Sequence, residues 1–179
     1  MQLIQAKTKL QILKIYLLYR AAFPKEERKP FSIITMMQAQ DKTDIWYAQE
    51  NGRFLGFATT INDENLILLD YLAIKKSVRG KGYGTRFMKE MLSIYQGKGF
   101  FVEIELVDQQ AENYEERLKR KQFYLACGME DLHVSALVFK VPMELLGKDC
   151  TLDFQSYHDF YRDNYTVRSA DNIQPIKED

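Results

Sequence analysis

The chain has 179 residues, of which 25 are basic and 25 acidic, so its formal net charge is zero. Apolar types make up 46% of it and aromatics 13%, enough side-chain volume to fill the core of one domain without metal or disulfide staples. Balanced charge removes the global field that would draw in nucleic acid or an anionic membrane. No run approaches the roughly 20 apolar residues needed to span a bilayer, and the first residues lack a basic segment followed by an apolar stretch. Cys127 and Cys150 have no C-x-x-C spacing and no histidine cluster beside them, so neither a disulfide framework nor a metal site is signalled. These features read as a cytoplasmic protein, a monomer or homodimer, with no metal, nucleic-acid or membrane partner.

Thr8 with Gln11 three residues on is a capping-box pattern, and Leu10, Leu13, Leu17 and Leu18 follow at helical spacing, which predicts a helix from about Thr8 to Ala22 that Pro24 ends. Pro24 to Pro30 is a charged loop, and Phe31 to Gln40 reads either as a solvated connector or as a short second helix. Asn51-Gly52, between Asp44 to Gln49 and Arg53 to Ile61, is a strong hairpin signal because both turn residues tolerate positive φ. The nearly continuous apolar run Leu66 to Ile74 suits a strand buried on both faces. Thr85 to Tyr95 places Phe87, Met88, Met91, Leu92 and Tyr95 on one stripe and meets Gly97 and Gly99, so a core-facing helix is expected. Phe100 to Val107 alternates as a half-buried strand does, and strand, helix, strand implies a parallel crossover. A further helix is expected over about Ala111 to Cys127, with Tyr114, Leu118 and Leu125 on its stripe and Gly128 as its cap. Val134 to Val141 reads as a last long strand interrupted by Pro142, and Phe154, Tyr157, Tyr161 and Tyr165 as one extra amphipathic helix before a polar tail from about Ala170.

The segment Leu72 to Phe87, LAIKKSVRGKGYGTRF, carries the chemistry. It is a buried strand, a short basic loop, three alternating glycines and a helix. Glycines 80, 82 and 84 let the backbone approach a ligand closely, and the first amides of the following helix point outward with the positive end of its dipole behind them. That pattern is an anion cradle, best suited to a pyrophosphate, with Arg79, Lys81 and Arg86 adding positive charge. The bland alternative is a tight turn between strand and helix. A dinucleotide-binding reading needs G-x-G-x-x-G, and here Thr85 occupies the slot of the third glycine, although Glu103 and Glu105 follow at roughly 20 residues. No P-loop spacing occurs.

Arg79-Gly80-Lys81-Gly82-Tyr83-Gly84 matches R/Q-x-x-G-x-G/A, and Phe123-Tyr124 followed by Gly128-Met129 forms a second late motif. Over about Met1 to Pro142 the chain resembles the GNAT family of N-acetyltransferases. The resemblance implies an α/β mixed-sheet fold: an antiparallel meander followed by a splayed parallel strand pair with flanking helices. Residues 1–147 would form the acetyltransferase domain, and 148–179 a C-terminal extension. It also implies acetyl-coenzyme A as co-substrate, its pyrophosphate on the amides of Arg79, Gly80, Lys81, Gly82, Tyr83, Gly84 and Thr85, its pantetheine arm along Leu72, Ala73 and Ile74, and Arg120 on the rim. Tyr124 would protonate the departing thiolate. At 100° per residue Tyr124 lies about 120° from the Leu118 and Leu125 stripe, on the face of Arg117, Arg120 and Cys127, so it is expected to look into the cofactor groove rather than the core.

The implied reaction is direct attack of an amine of a small molecule or protein on the thioester. An alkylammonium is neutral only about one part in 10³ at pH 7, so a base or a desolvated site must help. Asp70, Glu103 and Glu105 are the candidates: Asp70 is an acid inside an apolar run, and the two glutamates share a strand face. Glu26 and Glu27 join them as groups that would suit a cationic acceptor. The alternative is a domain that binds an acyl-coenzyme A as a regulatory ligand without turning it over.

Overall fold

The computed structural model describes residues 1–165 and 167–176, apart from the side chains of Glu26 and Val167. The chain opens with a strand that the sequence reading missed, β1 (Gln2–Gln5), followed by α1 (Lys9–Ala22), α2 (Phe31–Ala39), β2 (Thr43–Glu50), β3 (Arg53–Asn62) and β4 (Leu66–Ile74). Then come α3 (Tyr83–Ile94), β5 (Gly99–Glu105), α4 (Tyr114–Ala126), β6 (Glu130–Val138) and β7 (Val141–Lys148). Helices α5 (Phe154–Asn164) and α6 (Val167–Ala170) and the short strand β8 (Ile173–Pro175) finish it.

Two compact units result, residues 1–62 with 69–96, and residues 63–68 with 97–179. In the first, the strand order is β1-β2-β3-β4, with β1, β2 and β3 successively antiparallel. Thr8 starts α1 through a complete capping box: its hydroxyl accepts from the Gln11 amide, and its own amide donates to the Gln11 side chain. Of the leucine stripe that predicts this helix, only Leu18 packs against the core. Ile15 and Tyr19, four apart, enter the core, whereas Leu10, Leu13 and Leu17 are exposed. Around Tyr19 the core holds Ile34, Ile45, Tyr47, Phe57, Tyr71 and Ala73. Ile34 comes from α2, so Phe31 to Ala39 is a helix rather than a connector.

In the second unit, the opening residues of β4 lie parallel beside β5, and the order continues β5-β7-β6-β8 with antiparallel pairs. The single long strand expected over Val134 to Val141 is instead the hairpin of β6 and β7. Phe139 and Lys140 form its two-residue turn at φ of 48° and 72°, a conformation these residue types seldom announce. Pro142 does not interrupt β7. Its carbonyl accepts from the Leu106 amide where the β5 ladder ends, and the Leu106 carbonyl, which a Pro142 N–H would otherwise have met, accepts from Arg117 at 2.9 Å. The expected polar tail contains β8, paired to β6 through Ile173↔Val138, while Lys177–Asp179 lie outside the described residues.

Helix α4 packs by charge as well as by the half-buried Leu118. Leu125 is exposed, and Arg117, Lys121 and Tyr124, spaced four and three apart, face inward. Lys121 Nζ donates to Asp131 at 2.8 Å and to the buried Glu144 at 2.5 Å, so this helix is anchored by compensated ions. Replacing Phe139-Lys140 by Asn-Gly should raise stability by about 1 kcal/mol, because the left-handed turn is then adopted without Cβ strain. Chemical denaturation checks this, and an unchanged midpoint would show that the turn stores no strain.

Candidate active site

The end of β4, a one-turn 3-10 segment at Lys76–Val78 and the start of α3 build the anion cradle. Gly80 and Gly82 both take left-handed backbone, with φ of 74° and 76°, and a Cβ placed on either would meet open space. The strain of a substitution would therefore come from the backbone, and the side chain would stand where a ligand has to approach. Gly82 is the N-cap of α3, makes no side-chain capping bond, and is followed by a first turn with no acidic residue. The opening amides of the helix thus keep their hydrogen-bonding capacity and the helix keeps its positive end. These residues fit a diphosphate.

Around the cradle, Arg79 Nε donates to the Ile74 carbonyl at 3.0 Å and closes the end of β4. Arg86 and Tyr83 are both spent on Glu50, at 3.1 Å and 2.6 Å, and the N-terminal ammonium of Met1 reaches the same carboxylate at 3.0 Å. Those bonds, from Tyr83 first and then the N-terminus, pull the Glu50 carboxyl down to about 2, and the shared proton of the pair raises Tyr83. Of the three cations expected here, Arg86 is paired with Glu50 and Arg79 is held by a backbone carbonyl, whereas Lys81 makes neither contact among the described residues and lines an open depression of about 300 Å³ with Glu50, Asn51, Arg53 and Tyr83. Glycine also matters on β3: a Cβ at Gly56 would lie 2.4 Å from the Ala73 carbonyl, so a side chain there would push against Ala73.

The three candidate bases occupy different environments. The Asp70 side chain is 8% exposed and pairs with Lys29 at 2.7 Å. Glu103 accepts from the hydroxyls of Tyr157 at 2.7 Å and Tyr161 at 2.8 Å, both on α5. Burial first, and then Glu103 beside it, keeps Tyr157 protonated by raising it well above its ordinary value. Glu105 is desolvated, which alone would raise it, yet bonds from Arg120 and Asn113 and the charge of Arg117 outweigh burial and hold it below the usual carboxylate range. Arg120 is therefore engaged at 2.8 Å with Glu105.

Tyr124 is 7% exposed, so it is not a groove-lining residue of open aspect; it sits on the face α4 turns inward. Desolvation pushes its hydroxyl up to about 12, Arg120 opposing and Cys127 adding. Among the described residues that hydroxyl has no hydrogen-bond partner, and it stays protonated at neutral pH. The structure thus gathers Leu72, Ala73, Ile74 and residues 79–85 with Asp70 in the first unit, and Glu103, Glu105, Arg120 and Tyr124 in the second. Sequence reasoning missed Glu50, Gly56, Lys29, Tyr157 and Tyr161 as members of these clusters. Only the period of the α5 tyrosines hinted at any of them.

Because the Glu50 carboxyl is depressed on folding, its contribution to stability is present above its ordinary range near pH 4.5 and is lost as pH falls toward about 2. The stability gap between the wild type and Glu50→Gln should accordingly stay level above pH 5 and narrow below about 4.5; denaturation series across that range would contradict the pairing if the gap were flat throughout.

Among the described residues no group of three or more His, Cys, Asp and Glu is placed to hold a metal ion, and no helix is long and apolar enough to cross a membrane. The chain is similar in structure to a GNAT-family protein of Bacteroides thetaiotaomicron, with 19% identity and a TM-score of 0.76 over 93% of this chain and 99% of that one. It is also similar to an aminoglycoside 6'-N-acetyltransferase complexed with coenzyme A, at 17% identity and TM-score 0.62 over 83% and 96% of the two chains. A spermidine N-acetyltransferase variant from Vibrio cholerae, 12% identical, superposes with TM-score 0.61 over 82% and 94%. At these identities the likeness speaks for the fold. No curated protein matches the chain significantly in sequence. The acetyltransferase (GNAT) family model matches residues 12–129, about two-thirds of the protein, and the chain therefore belongs to that family of acetyl-coenzyme A dependent N-acetyltransferases.

Proposed function

We propose that the protein transfers an acetyl group from acetyl-coenzyme A to an amine of a small molecule or of a protein, by direct attack and in the cytoplasm. The observation that carries this reading is the uncapped opening of α3 behind two left-handed glycines. The diphosphate takes the amides of residues 79–85, with Lys81 as the mobile cation, and the arm of the co-substrate takes the backbone of Leu72, Ala73 and Ile74. A backbone amide of Leu72 or Ala73 meets the carbonyl oxygen of the thioester, since a fixed dipole in a water-poor cleft stabilises developing charge without reorganising. When bound, acetyl-coenzyme A supplies an activated acyl group and a thiolate leaving group.

Tyr124 is the proton donor to that thiolate. Its buried, protonated hydroxyl, without a hydrogen-bond partner among the described residues, supports the role. Asp70 or Glu103 accepts the proton that the acceptor ammonium must shed, directly or through water; Glu105, held as an ion by two arginines, is the poorer base. Arg120, on Glu105, sets the rim. Residues 148–179 are an extension of the acetyltransferase domain, and its helix α5 fixes the Glu103 carboxylate through Tyr157 and Tyr161. The names of similar structures point to amines as acceptors, spermidine and aminoglycosides among them.

Tyr124→Phe should lower kcat about 10²-fold while leaving acetyl-coenzyme A affinity unchanged, as read by thiol release and calorimetry. Equal turnover would remove Tyr124 from the chemistry. Acetyl-coenzyme A at a hundredfold excess should stabilise the wild type by about 2.7 kcal/mol, and Gly82→Val should erase that gain. Stabilisation with no thiol release across a broad amine panel would instead favour a regulatory acyl-coenzyme A binding domain.

A further inference from the structure

Asp70 is an acid in an otherwise apolar strand, and its charge is met by an ammonium from the proline-bounded loop Pro24 to Pro30. Lys29 Nζ lies 2.7 Å from Asp70 Oδ1 and 5.8 Å from the centroid of the Tyr71 ring. A carboxylate and an aromatic face from adjacent residues thus receive one alkylammonium from two sides, the arrangement by which cations are bound in partly desolvated places. The seat is rigid. Tyr71 donates its hydroxyl to the Glu27 carbonyl at 2.9 Å and accepts from the Lys29 amide at 3.2 Å, and Tyr19 donates to the Lys29 carbonyl at 3.0 Å. The rings of Tyr19 and Phe23 each stand edge-on to Tyr71 with centroids 4.9 Å away.

The guest is less fixed than the seat. The Lys29 side chain is 26% exposed against 8% for Asp70, and it ends in a flexible stem, so it can leave into water while the carboxylate stays. A carboxylate left behind at that depth needs another cation. Asp70 precedes Leu72 by two residues, roughly 7 Å along the strand, and Leu72 begins the stretch on which the acetyl-coenzyme A arm is proposed to lie. We infer that Asp70 and Tyr71 form the binding seat for the acceptor's primary alkylammonium, and that Lys29 is an internal stand-in which the acceptor displaces. This rests on the acetyl-transfer reading and narrows it to acceptors that arrive as primary alkylammonium ions. Occupancy by Lys29 for about nine-tenths of the time would cost an incoming cation about tenfold in apparent affinity.

The test uses n-butylammonium chloride as probe and n-butanol as its neutral counterpart, with titration calorimetry and thermal melting of the full chain. Lys29→Met should bind n-butylammonium about tenfold more tightly than the wild type and recover part of its lost Tm on adding it, with no response to n-butanol. Lys29→Arg should show no gain, and Lys29→Met with Asp70→Asn should lose it. Equal binding by the wild type and Lys29→Met, or a gain that survives Asp70→Asn, would overturn the seat. Should Lys29→Met not fold, Lys29→Gln reads the same comparison. Acetyl-coenzyme A affinity measured on the same samples separates the two readings: its absence beside an intact n-butylammonium gain would sink acetyl transfer and spare the cation seat.

Discussion

A helix whose first turn follows two left-handed glycines, with no capping side chain and no acidic residue, leaves peptide N–H groups and a positive dipole end unsatisfied at one point of the fold. The acetyl-transfer reading depends on that deficit. Proteins normally cap such an end at little expense, so an end left open toward water beside a basic loop is suited to a polyanion. The surroundings reinforce it in an indirect way. Glu50 draws Tyr83, Arg86 and the chain's own N-terminus together, which fixes the side chains at the start of α3 while the backbone amides remain available.

The carboxylates divide along similar lines. Glu105 and Glu144 are structural anions, each tied to cations of α4, and they explain how a helix with few inward apolar residues is held. Glu103 is half-buried under two tyrosine hydroxyls of α5. Asp70 has a flexible lysine as its counter-ion. Of these, Asp70 is the one whose counter-ion comes from a loop and not from a helix, which is why the acceptor's charge is assigned to it.

Much of the fold was legible from local chemistry. The Thr8 and Gln11 box, the Asn51-Gly52 turn, the apolar run of β4 and the glycine loop before α3 all act within a few residues, where sequence speaks directly. Period alone was less dependable for orientation. Apart from Leu18 and Leu118, the leucines of α1 and α4 predicted helices correctly but not the buried face, because Tyr19 and the ion pairs of Arg117 and Lys121 offered the sheet better partners. The β6–β7 turn escaped since Phe139 and Lys140 are poor signals for left-handed backbone. Within the candidate site, the cradle motif stood out, whereas Lys29 with Asp70 and Tyr157 with Glu103 are separated by 41 and 54 residues, and no local pattern links them.

Amide hydrogen exchange with and without acetyl-coenzyme A addresses the central claim most directly, because it reads the peptide N–H groups themselves. Binding should slow exchange at the amides of residues 80–85 and of Leu72 to Ile74 beyond any general slowing of the core. Saturating acetyl-coenzyme A that leaves those amides exchanging as in the free protein, or protects another surface instead, would contradict the cradle and the acetyl-transfer reading built on it.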